Sequence, residues 1–452
     1  MAVPALVSPL VLAVGAHALE VTSTLLQVGA FVVIFVAARL LAEILVRLQL
    51  PTILGELLAG VLIGSSGLRL IVPPEAHGPV NEAWLQLIGR LASVPTDQVA
   101  VLYGDSQEIL QAVATIGLFA LLFLTGLESE LDELVAVGGQ AASVALAGVV
   151  LPFAAGTAGL IALFQVDLIP AVFAGASMTA TSIGITASVF NELSMLRTRE
   201  GQIVLGAAVL DDILGIVILA VVVSLAGGGH LSVGPIAWLL LAAALFVLAA
   251  LALSRTAAPL FDALLDRLKA PGEVVVASFL VLTVCCFAAT AIGLEAALGA
   301  FAAGLILSNS QHTEAIREAL QPLVSLFATI FFVLIGAGMD LSVLNPMDPA
   351  NRSGLVVAAF LLVVAIACKV ASGWLFRSAE PTNRLVVGLG MMPRGEVGLI
   401  FLGLGTAAHL LTPALEAAIL LMVIGTTFLA PVLLKLVLSG AEALDGSQAG
   451  TG

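Results

Sequence analysis

Two adjacent aspartates, Asp211 and Asp212, sit in the middle of GAAVLDDILG (206–215), inside an apolar run from about Ile203 to Leu225. A run of that length suits a membrane-spanning helix, because roughly 20 apolar residues cross the hydrocarbon core. A charged side chain at the bilayer centre costs at least about 2.5 to 3.5 kcal/mol, so carboxylates kept there are paired, neutralised or turned to water, and mark function by default. Neighbouring residues on a helix point about 100° apart. The two carboxylates therefore cannot share one direction: one can pair with a neighbouring helix while the other faces an aqueous cavity.

The other ionisable residues that stand out within apolar runs are Glu56, Glu295, Lys369, Arg394, Glu396 and Glu416, with Arg39 and Glu43 near the end of one run. Lys369, in VVAIACKVASGW, is the single lysine among them and the natural partner for one aspartate. Burial disfavours the charged form of each partner and pairing favours it, so such a pair can trade protons for a metal cation. A purely structural salt bridge is the competing reading. Arg394 and Glu396 lie in LGMMPRGEVGLIF, where Pro393 with Gly390, Gly395 and Gly398 interrupts a helix. A second interruption is expected in SMTATSIGITAS (177–188), which holds Thr181, Ser182 and Gly184 in mid-span. Taken alone, that stretch equally fits small-residue helix packing. Unpaired backbone at membrane depth is tolerated only where it lines a cavity or is buried in protein. Two interrupted spans in corresponding halves are the best sequence pointer to a transporter's binding site.

The elements that must hold these groups follow from composition. Of 452 residues, 60% are hydrophobic and 10% charged, with a mean hydropathy of +1.17, which makes the chain an all-α polytopic membrane protein. The net charge of −14 is spread over loops, without a basic tail, so nucleic acid is not an expected partner. Cys285, Cys286 and Cys368 lie in apolar runs and read as small hydrophobes. No His cluster or activated nucleophile falls in the spans, His230 and His409 being near span ends; neither an enzyme nor a cofactor is expected.

About thirteen spans are expected, near 22–43, 51–67, 108–127, 139–163, 168–190, 202–226, 233–253, 273–291, 294–308, 321–338, 354–376, 385–408 and 413–437. Residues 1–20, with the A-x-A pattern at 16–18, read as a signal peptide or an extra N-terminal helix. The polar, acidic stretch 68–107 is expected outside, its amphipathic part 82–93 along the membrane surface. Residues 254–272 are expected to form an interfacial helix joining two halves. The bias of Lys and Arg places the N-terminus out and the C-terminus in, with 439–452 a short cytoplasmic tail.

LPTILGELLAGVLIG (50–64), LLFLTGLESE (121–130), TATSIGITASVF (179–190), AAVLDDILGI (207–216), LGAFAAGLIL (298–307), IFFVLIGAGMDL (330–341) and GMMPRGEVGLI (390–400) occur in that order. As an ordered set over residues about 22 to 438 they resemble the bacterial monovalent cation/proton antiporter superfamily, in its Kef-like and NapA-like branch. The resemblance implies a sodium/proton antiporter fold of thirteen helices, with inverted repeats and two crossed discontinuous helices. It also implies a homodimer in the lipid bilayer of the bacterial inner membrane, or an internal one. Helices about 22–67 and 233–308 would form its dimerisation part, and 108–226 and 321–437 a mobile core.

In this likeness Asp212 carries the cation or proton, Asp211 pairs with Lys369, and both aspartates serve the transported alkali cation. Thr181 and Ser182 add oxygens, Arg394 with Glu396 stabilises the second broken helix, and Glu56 is a structural ion-pair partner. An Asp-Asp pair implies electrogenic exchange of two protons for one sodium, with lithium also accepted. Kef-type potassium systems usually carry Gln-Asp and a nucleotide-binding domain, so potassium/proton exchange is the alternative and a cation channel the more distant one. Glu295 departs from the family pattern and is expected at a loop in water or at an outer vestibule.

Overall fold

The computed structural model describes residues 9–74, 78–129, 131–226, 233–267, 272–339, 341, 349–378 and 380–449. In chain order the helices are α1 (Pro9–Arg47), α2 (Thr52–Ile63), α3 (Glu82–Ala92), α4 (Thr96–Glu128), α5 (Leu131–Ala136), α6 (Gly138–Phe164), α7 (Leu168–Ser177), α8 (Ile183–Glu192) and α9 (Arg199–Ala226). They continue with α10 (Val233–Leu265), α11 (Glu273–Ala291), α12 (Ala296–Leu307), α13 (Thr313–Gly338), α14 (Pro349–Ser372), α15 (Arg384–Gly390), α16 (Glu396–Ala407) and α17 (Pro413–Ala449). No strand occurs among the described residues.

Nine of these helices are long and apolar enough to cross a membrane: α1, α4, α6, α9, α10, α11, α13, α14 and α17. The short α2 and α12 account for two more of the expected spans. Two spans are broken in mid-course, into α7/α8 and α15/α16. Residues 9–20 continue into the first span as part of α1.

Two compact units emerge, residues 1–117 with 326–340 and residues 118–325 with 341–452. In the first, α2 and α13 touch backbone to backbone: a Cβ on Gly60 would fall 2.1 Å from the Val333 carbonyl, and one on Gly336 would fall 2.1 Å from that of Leu57. Glycines allow this approach, the usual way helices gain contact where water supplies no drive. Glu56, on α2, accepts a hydrogen bond from Thr329 at 2.7 Å.

The expected amphipathic helix appears as α3, capped by Asn81, whose Oδ1 accepts from Ala83 N and Trp84 N. The polar stretch after it is shorter than expected, because α4 already begins at Thr96. Its first turns are held by packing: Val99 and Tyr103 are buried, and the Tyr103 hydroxyl accepts from Val72 N at 2.7 Å and donates to Leu70 O at 3.1 Å.

In the second unit α6 packs against α9 and α14, and α14 against α17. Ala174, Ala365, Phe401, Ala418 and Met422 form part of a buried apolar cluster there. Residues 254–265 are not a separate interfacial helix but the last turns of α10, which runs unbroken past Pro259. Long-range contacts prolong it: buried Asp262 accepts from the Ser310 hydroxyl and from Gln311 N, the latter at 3.1 Å. Residues 268–271 of that expected helix lie outside the described residues.

Candidate functional site

The site is built where the two broken spans cross. In the first, the hydroxyls of Ser177 and Thr179 donate to the carbonyls of Ala174 and Ala176, both at 2.7 Å. Such side chains compete with the helix for its own backbone. The chain unwinds over 178–182 before α8 begins. In the second, Pro393 has no N–H to donate, and residues 392–395 run without helical structure between α15 and α16.

The breaks are tied to each other. Ser182 N donates to Pro393 O at 2.9 Å, and Thr186 Oγ1 donates to Gly390 O at 3.0 Å. A Cβ on Gly395 would fall 2.7 Å from Ser182 Oγ, so glycine is what lets the two unwound segments meet. Arg394 is wholly buried. Its Nη1 donates to the carbonyls of Thr179 and Ala180, at 2.9 and 2.6 Å. Those carbonyls follow the end of α7, where the helix dipole is negative, and a cation there is stabilising. Arg394's own carbonyl accepts from Thr427 Oγ1 on α17 at 2.6 Å.

Over this crossing, α9 brings the aspartates and α14 brings the lysine. Asp211 and Lys369 are both fully buried, with Nζ 2.7 Å from Asp211 Oδ2. Thr181 Oγ1 completes the group: it lies 2.7 Å from Asp211 Oδ2, 2.9 Å from Lys369 Nζ and 3.0 Å from Met391 O. It accepts from the ammonium and has one proton to offer the two oxygens. Asp211 Oδ1 and Ser182 Oγ, both buried, have no hydrogen-bond partner. Asp212 is 6% exposed and on the next helical position, about 100° round. Two buried cations, Lys369 and Arg394, thus share one region with two buried carboxylates. Hard oxygens of this kind suit an alkali or alkaline-earth ion better than a soft metal.

Of the other charges considered, Glu396 opens α16, but its side chain lies outside the described residues. Glu56 belongs to the first unit. Glu295 is half-buried at the N-terminal cap position of α12, and Glu416 is half-buried in the first turn of α17. Arg39 is exposed, and Glu43 pairs with Arg47 at 3.0 Å on the surface of α1.

Sequence reasoning missed two participants. Thr427 carried a signal, a hydroxyl pair in mid-span of the last apolar run. Gly148 on α6 carried none: a Cβ there would fall 3.1 Å from Lys369 Nζ and 3.4 Å from its Cδ. Gly148→Val is expected to push the lysine off Asp211, with an overpacking cost of about 1–3 kcal/mol. Thermal unfolding in detergent and transport rate should both fall, and a variant with unchanged rate would show that the lysine has room to spare.

Over residues 30–440 the chain matches the family described as sodium/hydrogen exchanger, transmembrane. It is 46% identical over 418 residues to the high-affinity Na⁺/H⁺ antiporter NhaS3 of Synechocystis, covering 92% of this chain and 91% of that one. It is 28% identical to the Na⁺/H⁺-K⁺ antiporter GerN of Bacillus cereus, covering 89% and 94%. Among solved structures, the sodium proton antiporter MjNhaP1 of Methanocaldococcus jannaschii superimposes with a TM-score of 0.60 at 17% identity, covering 91% of this chain and 99% of that one. At that identity the likeness speaks for the fold.

Proposed function

The chain belongs to the sodium/hydrogen exchanger family, and from that premise we propose that this multi-pass membrane protein exchanges sodium for protons at the crossing of its broken helices. The observation that carries the reading is the fully buried Asp211–Lys369 pair at 2.7 Å, with Asp212 beside it and unwound backbone below. Taking two charges out of water costs several kcal/mol per ion, so a buried pair is poor evidence for stability. A pair that comes apart on cue gives the cost a purpose.

The cycle is competition for one site. A sodium ion prefers carboxylate, hydroxyl and carbonyl oxygens, and finds Asp212, Asp211 Oδ1 and the oxygens of Thr181 and Ser182 in this region. Its arrival favours release of Asp211 by Lys369, and protons returning to Asp212 and to the pair expel it. Uncompensated carboxylates resist crossing the bilayer, which enforces exchange rather than leak. Two carboxylates and one lysine support two protons per sodium and hence electrogenic exchange. Arg394 serves the second broken helix as a fixed counter-charge. We read the protein as a homodimer with its N-terminus outside the inner, or an internal, membrane and no enzymatic step.

Sodium, with lithium, is favoured over potassium because the relative at 46% identity is named for sodium, whereas potassium appears in the name of the one at 28%. The test is reconstitution into proteoliposomes with an imposed pH gradient, adding Na⁺, Li⁺ and K⁺ in turn with and without a membrane potential. Sodium and lithium should move the internal pH, and faster with a potential of the right sign. A response to potassium alone would reverse the selectivity, and single-channel currents without proton counterflow would replace the exchanger with a channel.

A further inference from the structure

The first turn of α9 carries two charged residues that reach away from their own helix. The turn before it is locked. Met195 N donates to Phe190 O at 2.7 Å, and Gln202 Nε2 donates to Leu196 O at 2.6 Å. A Cβ on Gly201 would fall 2.0 Å from Met195 O, and Gly201 N donates to Thr198 Oγ1 at 3.2 Å, capping the helix. The end of α8, the turn and the start of α9 therefore form one stiff piece.

Arg199 opens α9, where the positive end of the helix dipole disfavours a cation. Its partners lie elsewhere. A single nitrogen, Nη1, donates to Glu133 Oε1 on α5 at 3.1 Å and to Glu380 Oε2, just ahead of α15, at 2.7 Å. Its side chain is only 18% exposed. The next residue, Glu200, accepts the backbone N–H of Asn383 at 2.7 Å. Asn383 is itself the cap of α15, its side chain accepting from Val386 N at 3.2 Å. Neighbouring residues of α9 thus grip both the approach to α15 and its capping residue.

We infer that Arg199 and Glu200 are positioning residues, an ionic clamp that fixes the depth and rotation of α9 against α15. The inference rests on the sodium-exchange reading. Twelve residues, about 18 Å at 1.5 Å each, separate Arg199 from Asp211 along α9. At that far end Thr181 bridges Asp211 to Met391 O, just past α15. The clamp and the ion site are the two ends of one pairing of α9 with α15. Exposed ion pairs add little stability singly. The clamp's effect is therefore expected not in unfolding but in where α9 holds the oxygens of Asp211 against α15, and so in sodium binding.

The test uses the full chain in proteoliposomes. Arg199→Gln combined with Glu200→Ala should raise the KM for sodium about three- to ten-fold while the maximal rate stays within about two-fold, the pattern of lost binding. Arg199→Lys should stay closer to wild type than the double variant, because its ammonium, though one bond shorter in reach, keeps a positive charge facing both Glu133 and Glu380. Glu200→Gln should too, because its amide oxygen still accepts from Asn383. An unchanged KM in the folded double variant, a fall in maximal rate at constant KM, or equal damage from the conservative pair would each overturn the clamp. A readout apart from transport separates this from the exchange reading. Amide hydrogen exchange across 383–390 should quicken in the double variant and not in the conservative pair, even if wild type moves no sodium.

Discussion

Asp212→Asn should reduce sodium-driven proton movement to background while the protein still runs as a folded species in detergent. Asparagine keeps the size and one oxygen of the side chain but can neither ionise nor take up a proton. In the proposed cycle that removes the carrier and leaves both partners of the Asp211–Lys369 contact in place, since neighbouring side chains on α9 point about 100° apart. The substitution removes a costly buried charge and keeps the side chain's shape, so the variant is expected to fold. The measurement is internal pH in proteoliposomes after a sodium pulse. Movement that survives in the variant would mean that Asp211 or another group carries the proton, and the roles of the two aspartates would have to be reassigned.

Lys369→Ala should be severe in a different way. It strands Asp211 in a fully buried position with Thr181 as its remaining hydrogen-bond donor. Removing one partner of a buried pair typically costs about 3–5 kcal/mol, because the other charge is left uncompensated. A marked drop in thermal unfolding temperature is therefore expected, together with slow transport that responds less to membrane potential. Asp211→Asn added to Lys369→Ala should recover much of the lost stability without restoring the wild-type voltage response, and the double-mutant cycle isolates the pair. A single variant as stable as wild type would show that the pair is not doubly charged at rest. Unchanged voltage dependence would remove the lysine from the stoichiometry.

What made Asp211, Asp212 and Lys369 readable from sequence was rarity: charges in apolar runs are expensive, and each demands a reason. The second break was readable because Pro393 and its flanking glycines interrupt a helix. The first, in the hydroxyl-rich stretch at 177–188, was readable only beside it, since that stretch alone also fits ordinary helix packing. Gly148 was not readable, since a glycine in a transmembrane helix looks the same whether it faces lipid or a lysine. The reach of α10 past Ser254 was missed for a related reason. Pro259 and the charges around it look like the end of a span, and the contacts that prolong the helix come from Ser310 and Gln311, about fifty residues away. The early start of α4 depends on Tyr103 meeting the loop that carries Leu70 and Val72, another long-range contact. Periodicity reports a residue's own helix, not the surface it meets.

The crossing of the broken helices is stitched at several points: Ser182 N to Pro393 O, Thr186 to Gly390 O, Thr181 to Met391 O, and Arg394 to the carbonyls of Thr179 and Ala180. Parting it would expose all of these polar groups at once in a medium that cannot solvate them. In the proposed cycle such a knot moves whole. Each ion must then wait for a body of protein to make the trip, as a ferry passenger does, and turnover is set by the barrier to that movement rather than by the width of any hole.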